Sequence, residues 1–260
     1  MHGEFFMNIL ETLRKHPNKY YETENGVLIC DDCLNIMKDM SDKCVDLVLT
    51  DPPYGIKAAN GFNGVGTRGF RGLKTKPIMR RTYDDSWDNE RPIKDIFDNI
   101  IKISKLSIIF GGNFFADLLP VSTHWLVWDK LNTMLTFSDC ELIYTTSKRK
   151  SVMKYTVEYN GLIGKEKTRE HPTQKPVKLI TKILQNYSKQ NNVIADFYLG
   201  SGTTAVACEI LGLQWIGIEI SEKYCEVAKN RIANEANQCK FDFSEPVDTV
   251  RPVSEPDLFV

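Results

Sequence analysis

Val45-Asp46-Leu47-Val48-Leu49-Thr50-Asp51-Pro52-Pro53-Tyr54 runs from an apolar, strand-like segment straight into an acid, two prolines and an aromatic. Branched apolar residues favour a pleated, buried strand, and consecutive prolines cannot continue its hydrogen-bond ladder. The strand is therefore predicted over Val45–Leu49, with Asp51–Tyr54 at its C-terminal exit. Ligands of open α/β sheets bind at such exits. A plain proline turn also uses Asp and Pro, but it does not call for two consecutive prolines between an acid and an aromatic at a strand exit.

Outward from this stretch, short apolar runs alternate with helix-like segments. The predicted strands are Val27–Cys30, Val45–Leu49, Ser107–Phe110, Trp125–Trp128, Glu141–Thr145, Val193–Phe197 and Trp215–Ile220. The predicted helices are Leu34–Met40, Ile93–Lys102, Pro176–Ser188, Thr203–Leu211 and Glu222–Ala236. Alternation of this kind predicts an α/β fold on a mostly parallel sheet. At 260 residues and 42% hydrophobic, the chain carries enough apolar material for one sizeable domain. No run approaches the roughly 20 apolar residues of a membrane span, and no secretory leader is evident, so a cytoplasmic, nucleoid-associated location is expected. The seven cysteines form no paired set with zinc spacing; Cys30-x-x-Cys33 stands alone. Buried free thiols and no metal are expected.

A second motif is Asn192-Val-Ile-Ala-Asp196-Phe197-Tyr-Leu-Gly200-Ser201-Gly202-Thr203-Thr204, which leads into a helix. Glycines between a strand-end acid and a helix let backbone N–H groups approach a ligand closely. Glu219 closes the next strand about twenty residues on, where an acid can hold two ribose hydroxyls. The pattern favours a nucleoside-type ligand. A dinucleotide-binding turn would read G-x-G-x-x-G, and this one does not continue that way.

Asp51-Pro-Pro-Tyr54 followed by Asp196-Phe-Tyr-Leu-Gly-Ser-Gly-Thr-Thr204 resembles the amino-methylating DNA methyltransferases, in the β arrangement that places the catalytic motif first. His171-Pro-Thr-Gln-Lys-Pro176 is similar to that family's stretch upstream of the cofactor strand. The resemblance covers about Val27 to Ala236. It implies a seven-stranded, mostly parallel, Rossmann-like sheet with helices on both faces, circularly permuted so that the cofactor half comes last. It implies S-adenosyl-L-methionine as cofactor, a restriction-modification setting, and transfer of a methyl group to adenine N6 in double-stranded DNA by base flipping. Cytosine N4 is the alternative target, and a non-catalytic DNA-binding subunit a second one. Asp at 51 with Tyr54 resembles the adenine-N6 members.

The chemistry accounts for the residue types. An exocyclic base amine is a poor nucleophile, because its lone pair is delocalised into the ring. The Asp51 carboxylate and the Pro52 carbonyl would accept its two hydrogens, with Pro52 and Pro53 stiffening the backbone that carries them. Tyr54 would offer a flat face to an extruded base. By the resemblance, Asp196, Phe197, Gly200, Ser201, Gly202, Thr203 and Thr204 form the cofactor turn. Glu219 takes the ribose, Asp32 the adenine, and Thr173 with Lys175 the methionine end. Phe197 stands where the family usually has proline, and Asp31 where it often has glycine.

Three segments fall outside this rhythm. Residues 1–24 read as an N-terminal extension to a catalytic domain at 25–240, and 241–260 as a disordered, proline-punctuated tail. Basic insertions are expected at 56–90 and 148–170. Residues 56–81 hold seven cations and no acid, so Arg68, Arg71, Lys74, Arg80 and Arg81 are candidate DNA contacts, as are Lys148, Arg149 and Lys150. Asp257-Leu258-Phe259 resembles terminal peptides that dock on bacterial sliding clamps. A homodimer is compatible with the sequence, whereas a membrane partner is not expected.

Overall fold

The computed structural model describes residues 9–56, 88–131, 138–158 and 174–239. Its centre is a nine-stranded mixed sheet: β1 (Lys19–Glu22), β2 (Gly26–Cys30), β3 (Val45–Thr50), β4 (Ser104–Phe110), β5 (Trp125–Asp129), β6 (Cys140–Thr145), β7 (Val152–Thr156), β8 (Val193–Asp196) and β9 (Gln214–Glu219). The strand order is β1-β2-β9-β8-β3-β4-β6-β5-β7. The run β2-β9-β8-β3-β4 is parallel throughout, while β6 lies antiparallel to both β4 and β5.

All seven expected strands are present, and the sheet is extended by two more. β1 pairs antiparallel with β2, and β7 pairs parallel with β5. Both are short edge strands rich in charged and tyrosine side chains (KYYE and VMKYT), so neither shows the apolar run that marks a buried strand. The segment from Ile9 is likewise part of the domain: helix α1 (Ile9–Leu13) buries Leu10 and Leu13 in the core.

Helices cover both faces. α2 (Cys33–Lys38) and α3 (Lys94–Ile103) join α1 on one side; α4 (Val177–Tyr187), α5 (Thr203–Leu211) and α6 (Glu222–Cys239) cover the other. The division follows strand alternation. In β4, Leu106, Ile108 and Phe110 pack with the α4–α6 side, and Ile109 packs with the α1–α3 side. α3 fits its face because Ile96, Phe97, Ile100 and Ile103 recur at helical spacing.

The connection from β8 through α5 leads to β9, whereas the one from β3 through α3 leads to β4. The chain thus moves in opposite directions from the adjacent strands β8 and β3. A crevice opens at the C-terminal ends of such a pair.

Candidate active site

That crevice is a cavity, and both sequence motifs line it. Its walls include Thr50 at the end of β3, Asp51 and Pro53 just after it, and Asp196 through Thr204 apart from Phe197 and Gly202. Glu219, Ile220 and Tyr224 come from β9 and α6, and Gln174 with Lys175 from the approach to α4.

The glycine turn is shaped by backbone need. Gly200 has φ +54° and Gly202 has φ +85°, values that L side chains rarely adopt. A Cβ on Gly202 would also lie 3.0 Å from the Ala228 Cβ in α6. Gly202 forms the N-cap of α5. Glu219 braces the turn, since one carboxylate oxygen accepts the Gly200 N–H at 2.8 Å and the other the Ser221 N–H at 2.9 Å. Burial raises its pKa above the usual carboxylate value, with these N–H donors opposing.

Asp196 is buried between hydroxyls. Thr50 donates to one of its oxygens and Thr204 to the other, each at 2.7 Å, and the Tyr198 N–H adds a bond at 3.1 Å. Desolvation still pushes its pKa up to about 6. The Thr50–Asp196–Thr204 chain ties the end of β3 to the start of α5, the two halves of the crevice.

Asp51 sits in a charged cluster. Its Oδ2 accepts from Lys175 Nζ at 2.5 Å and its Oδ1 from the Tyr54 hydroxyl at 2.7 Å. The same hydroxyl lies 2.5 Å from Glu141 Oε1, and Lys175 Nζ lies 3.2 Å from that oxygen. Lys130 closes the cluster at 3.1 Å from Glu141 Oε2. Burial would raise the Glu141 pKa, but the Lys175 and Lys130 ammonium groups outweigh it and hold the value to about 2. Burial lifts Asp51 above the ordinary range against the pull of Lys175. Lys175 stays protonated because two carboxylates offset its own burial.

Several expectations change in detail. Phe197 points away from the cavity: with Ala195, two residues back, it packs into the α1–α3 side of the core. Its place in the turn is therefore a backbone one. Asp32 is exposed and caps α2, accepting the Leu34 N–H at 2.8 Å, outside the cavity wall. Lys175 lines the cavity but spends its ammonium on Asp51 and Glu141. The Tyr54 ring stacks on Phe114 at 4.7 Å and 14°, and Gly111 leaves it room, since a Cβ there would lie 2.2 Å from the ring. Tyr54 is thus held as a hydroxyl donor, with one face already covered.

Lys148, Arg149 and Lys150 follow the C-terminal end of β6, which runs antiparallel to β4. Glu141 lies near the start of that strand, on the Asp51 side, so these cations lie toward the N-terminal ends of the parallel strands, beyond roughly 14 Å of strand. Arg149 is half-buried, with its guanidinium 5.8 Å over the Tyr187 ring. Thr173, Arg68, Arg71, Lys74, Arg80, Arg81 and the terminal Asp257-Leu258-Phe259 lie outside the described residues. Among the described residues no His, Cys, Asp or Glu group is placed to hold a metal ion, and no helix is long and apolar enough to cross a membrane.

Sequence reasoning missed Glu141, Lys130, Thr50 and Arg231. Arg231 is a buried α6 side chain whose guanidinium donates to the Ser201 carbonyl and hydroxyl, both at 2.8 Å, and to the Thr203 hydroxyl at 3.1 Å. A charge inside an otherwise apolar helix face was its only signal. Thr50 adjoins the motif acid, but Glu141 and Lys130 carry no motif at all.

Comparison with known proteins agrees with this fold and names a family. The type II methyltransferase M.HinfI of Haemophilus influenzae is 26% identical over 249 residues, covering 77% of this chain; the chain spans 66% of that relative's length. The crystal structure of the M1.HpyAVI–SAM complex matches with a TM-score of 0.51 at 22% identity, over 79% of this chain and 98% of that one. The cytosine-N4-specific PvuII DNA methyltransferase matches with a TM-score of 0.51 at 13% identity, over 84% and 93%. Both likenesses concern the fold. The family model for DNA methylases of the N6/N4 type matches residues 80–230, more than half of the sequence. This chain belongs to the N6/N4 DNA methylase family.

Proposed function

We propose that the protein is an S-adenosylmethionine-dependent methyltransferase acting on adenine N6 in double-stranded DNA. The observation that carries the reading is a cavity shared by Asp51 and the glycine turn. Among its described charged walls, Asp51, Asp196 and Glu219 face one cation, Lys175. Such a site suits a ligand with net positive charge, and S-adenosylmethionine carries a sulfonium and an ammonium against one carboxylate.

The residues present fit that cofactor. The Gly200–Gly202 turn gives backbone access to it, and Thr203 and Thr204 open α5 beneath. Glu219 offers its carboxylate to the ribose and Asp196 supports the methionine end through the turn, while Asp32, outside the cavity wall, is the adenine partner only by the family resemblance. When bound, the cofactor supplies an electrophilic methyl on sulfur. The chain's part is to orient the acceptor: Asp51 accepts an amine hydrogen, and the stiff Pro52-Pro53 backbone offers a carbonyl for the other. A base must leave the duplex to reach this pocket. Adenine N6 is preferred to cytosine N4 because Asp51, beside Tyr54, stands where cytosine-N4 members more often carry serine. The order of the two motifs makes the fold a circular permutation of the methyltransferase sheet.

Expression in a methylation-free host tests this reading. N6-methyladenine should appear in the host DNA at one recurring sequence, located by methylation-sensitive sequencing. N4-methylcytosine would instead assign the alternative base, and unmodified DNA would remove the reading.

A further inference from the structure

A target amine needs the Asp51 carboxylate, yet Lys175 already occupies Oδ2 at 2.5 Å and Tyr54 occupies Oδ1 at 2.7 Å. The amine gains positive charge as it accepts a methyl group, so an ammonium held against the same carboxylate opposes the reaction. Lys175 therefore has to withdraw from Asp51 when the base enters. Its side chain is only 9% exposed and lies over the Phe110 ring at 5.1 Å. A buried ammonium cannot give up one partner without another.

The second partner is in place. Glu141 Oε1, on β6, lies 3.2 Å from the Lys175 ammonium and 2.5 Å from the Tyr54 hydroxyl. Its other oxygen is anchored by Lys130 at 3.1 Å. Glu141 lies outside the cavity wall that the glycine turn lines. Resting on the methyltransferase reading above, we propose that Glu141 is a positioning residue that takes over the Lys175 ammonium when the target amine replaces it on Asp51, holding Tyr54 in place meanwhile. In the resting protein Lys175 acts as a stand-in for the amine: it keeps the Asp51 carboxylate ionised and aimed until a base arrives. The charged and titratable groups that meet here are Asp51 and Tyr54 after β3, Lys130 just after β5, Glu141 on β6 and Lys175 before α4, with the Asp51 charge acting in turn on Asp196 across the crevice.

The test compares wild type, Glu141→Gln and Glu141→Asp by single-turnover methyl transfer to duplex DNA across pH, with cofactor affinity measured by calorimetry. Glu141→Gln should slow transfer by roughly a hundredfold, because Lys175 loses its alternative partner and the amine is misplaced. Cofactor affinity should stay within about threefold, since Glu141 lies outside the turn. The acid limb of the rate profile should move to lower pH: the Glu141 charge raises the Asp51 pKa, and its removal leaves Lys175 on Asp51 alone. Glu141→Asp keeps the charge and should return the limb to its wild-type position with part of the rate. Carbon-13 NMR of the Asp51 carboxyl should show the same downward shift in Glu141→Gln without any DNA. A wild-type rate in Glu141→Gln, or a slow rate with an unmoved acid limb, overturns the proposal. An unmoved Asp51 titration overturns it whichever way the methyl assay falls, whereas a wild type that leaves DNA unmethylated overturns the enzyme reading instead.

Discussion

Asp196 is an acid that the fold holds out of water. Threonine hydroxyls satisfy both of its oxygens, yet burial lifts its pKa from 3.8 to about 6. An acid whose folded pKa is raised holds more protons folded than unfolded between those two values. Stability contributed by the group is therefore present at low pH and is lost as pH rises through about 6. A rise of that size corresponds to roughly 3 kcal/mol at most. Asp196→Asn should thus be more stable relative to wild type at about pH 7.5 than at about pH 4.5, while binding cofactor more weakly. Urea unfolding at both pH values checks this, and an equal gap at the two would show that Asp196 ionises as freely folded as unfolded. A residue kept at some cost to stability fits a site that must meet a cation.

Elements differ in how plainly the sequence shows them. β3 and β8 are apolar runs that end at acids, and the turn glycines stand at positive φ, so strand, exit and helix start were readable from residue type alone. β1 and β7 were not, because edge strands keep charged side chains toward water and lack the buried pattern. Glu141 illustrates the harder limit. It lies on an expected strand, but its meeting with Asp51 depends on β6 running antiparallel beside β4, a pairing no local pattern encodes. Arg231 is the same kind of case, since α6 carries it to Ser201 and Thr203, some 30 residues back. Its hydrogen bonds hold the glycine turn proposed to receive the cofactor. Arg231→Met should weaken cofactor binding by about ten- to a hundredfold, in line with the loss of charge-assisted bonds worth roughly 1.5–3 kcal/mol. Calorimetry decides it: unchanged affinity in a folded variant would mean that the turn holds its shape unaided.

At the scale of the described fold, the crevice end of the sheet and the cations at 148–150 face opposite ways. On the proposed reading, a base that reaches Asp51 comes from DNA lying over the C-terminal strand ends, which leaves those cations poorly placed to grip it. The basic segment 56–81 follows Tyr54 directly in the chain and remains the candidate for phosphate binding. Replacing Arg68, Arg71 and Lys74 by alanine should weaken DNA binding and reduce the slope of its salt dependence by roughly one for each phosphate left without its cation, with cofactor affinity unchanged. Normal binding across a salt titration would place recognition elsewhere.

In the proposed reaction, one crevice brings a methyl donor and an Asp51-bound base amine together. The most direct measurement follows a labelled methyl group from S-adenosylmethionine into duplex DNA, with nucleoside mass spectrometry of the product, for wild type and Asp51→Ala. Wild type should place the label on adenine N6. Asp51→Ala should lose at least about a hundredfold in rate while binding cofactor nearly as tightly, because the carboxylate serves the amine and not the turn. Label transfer by Asp51→Ala at a wild-type rate would contradict this reading.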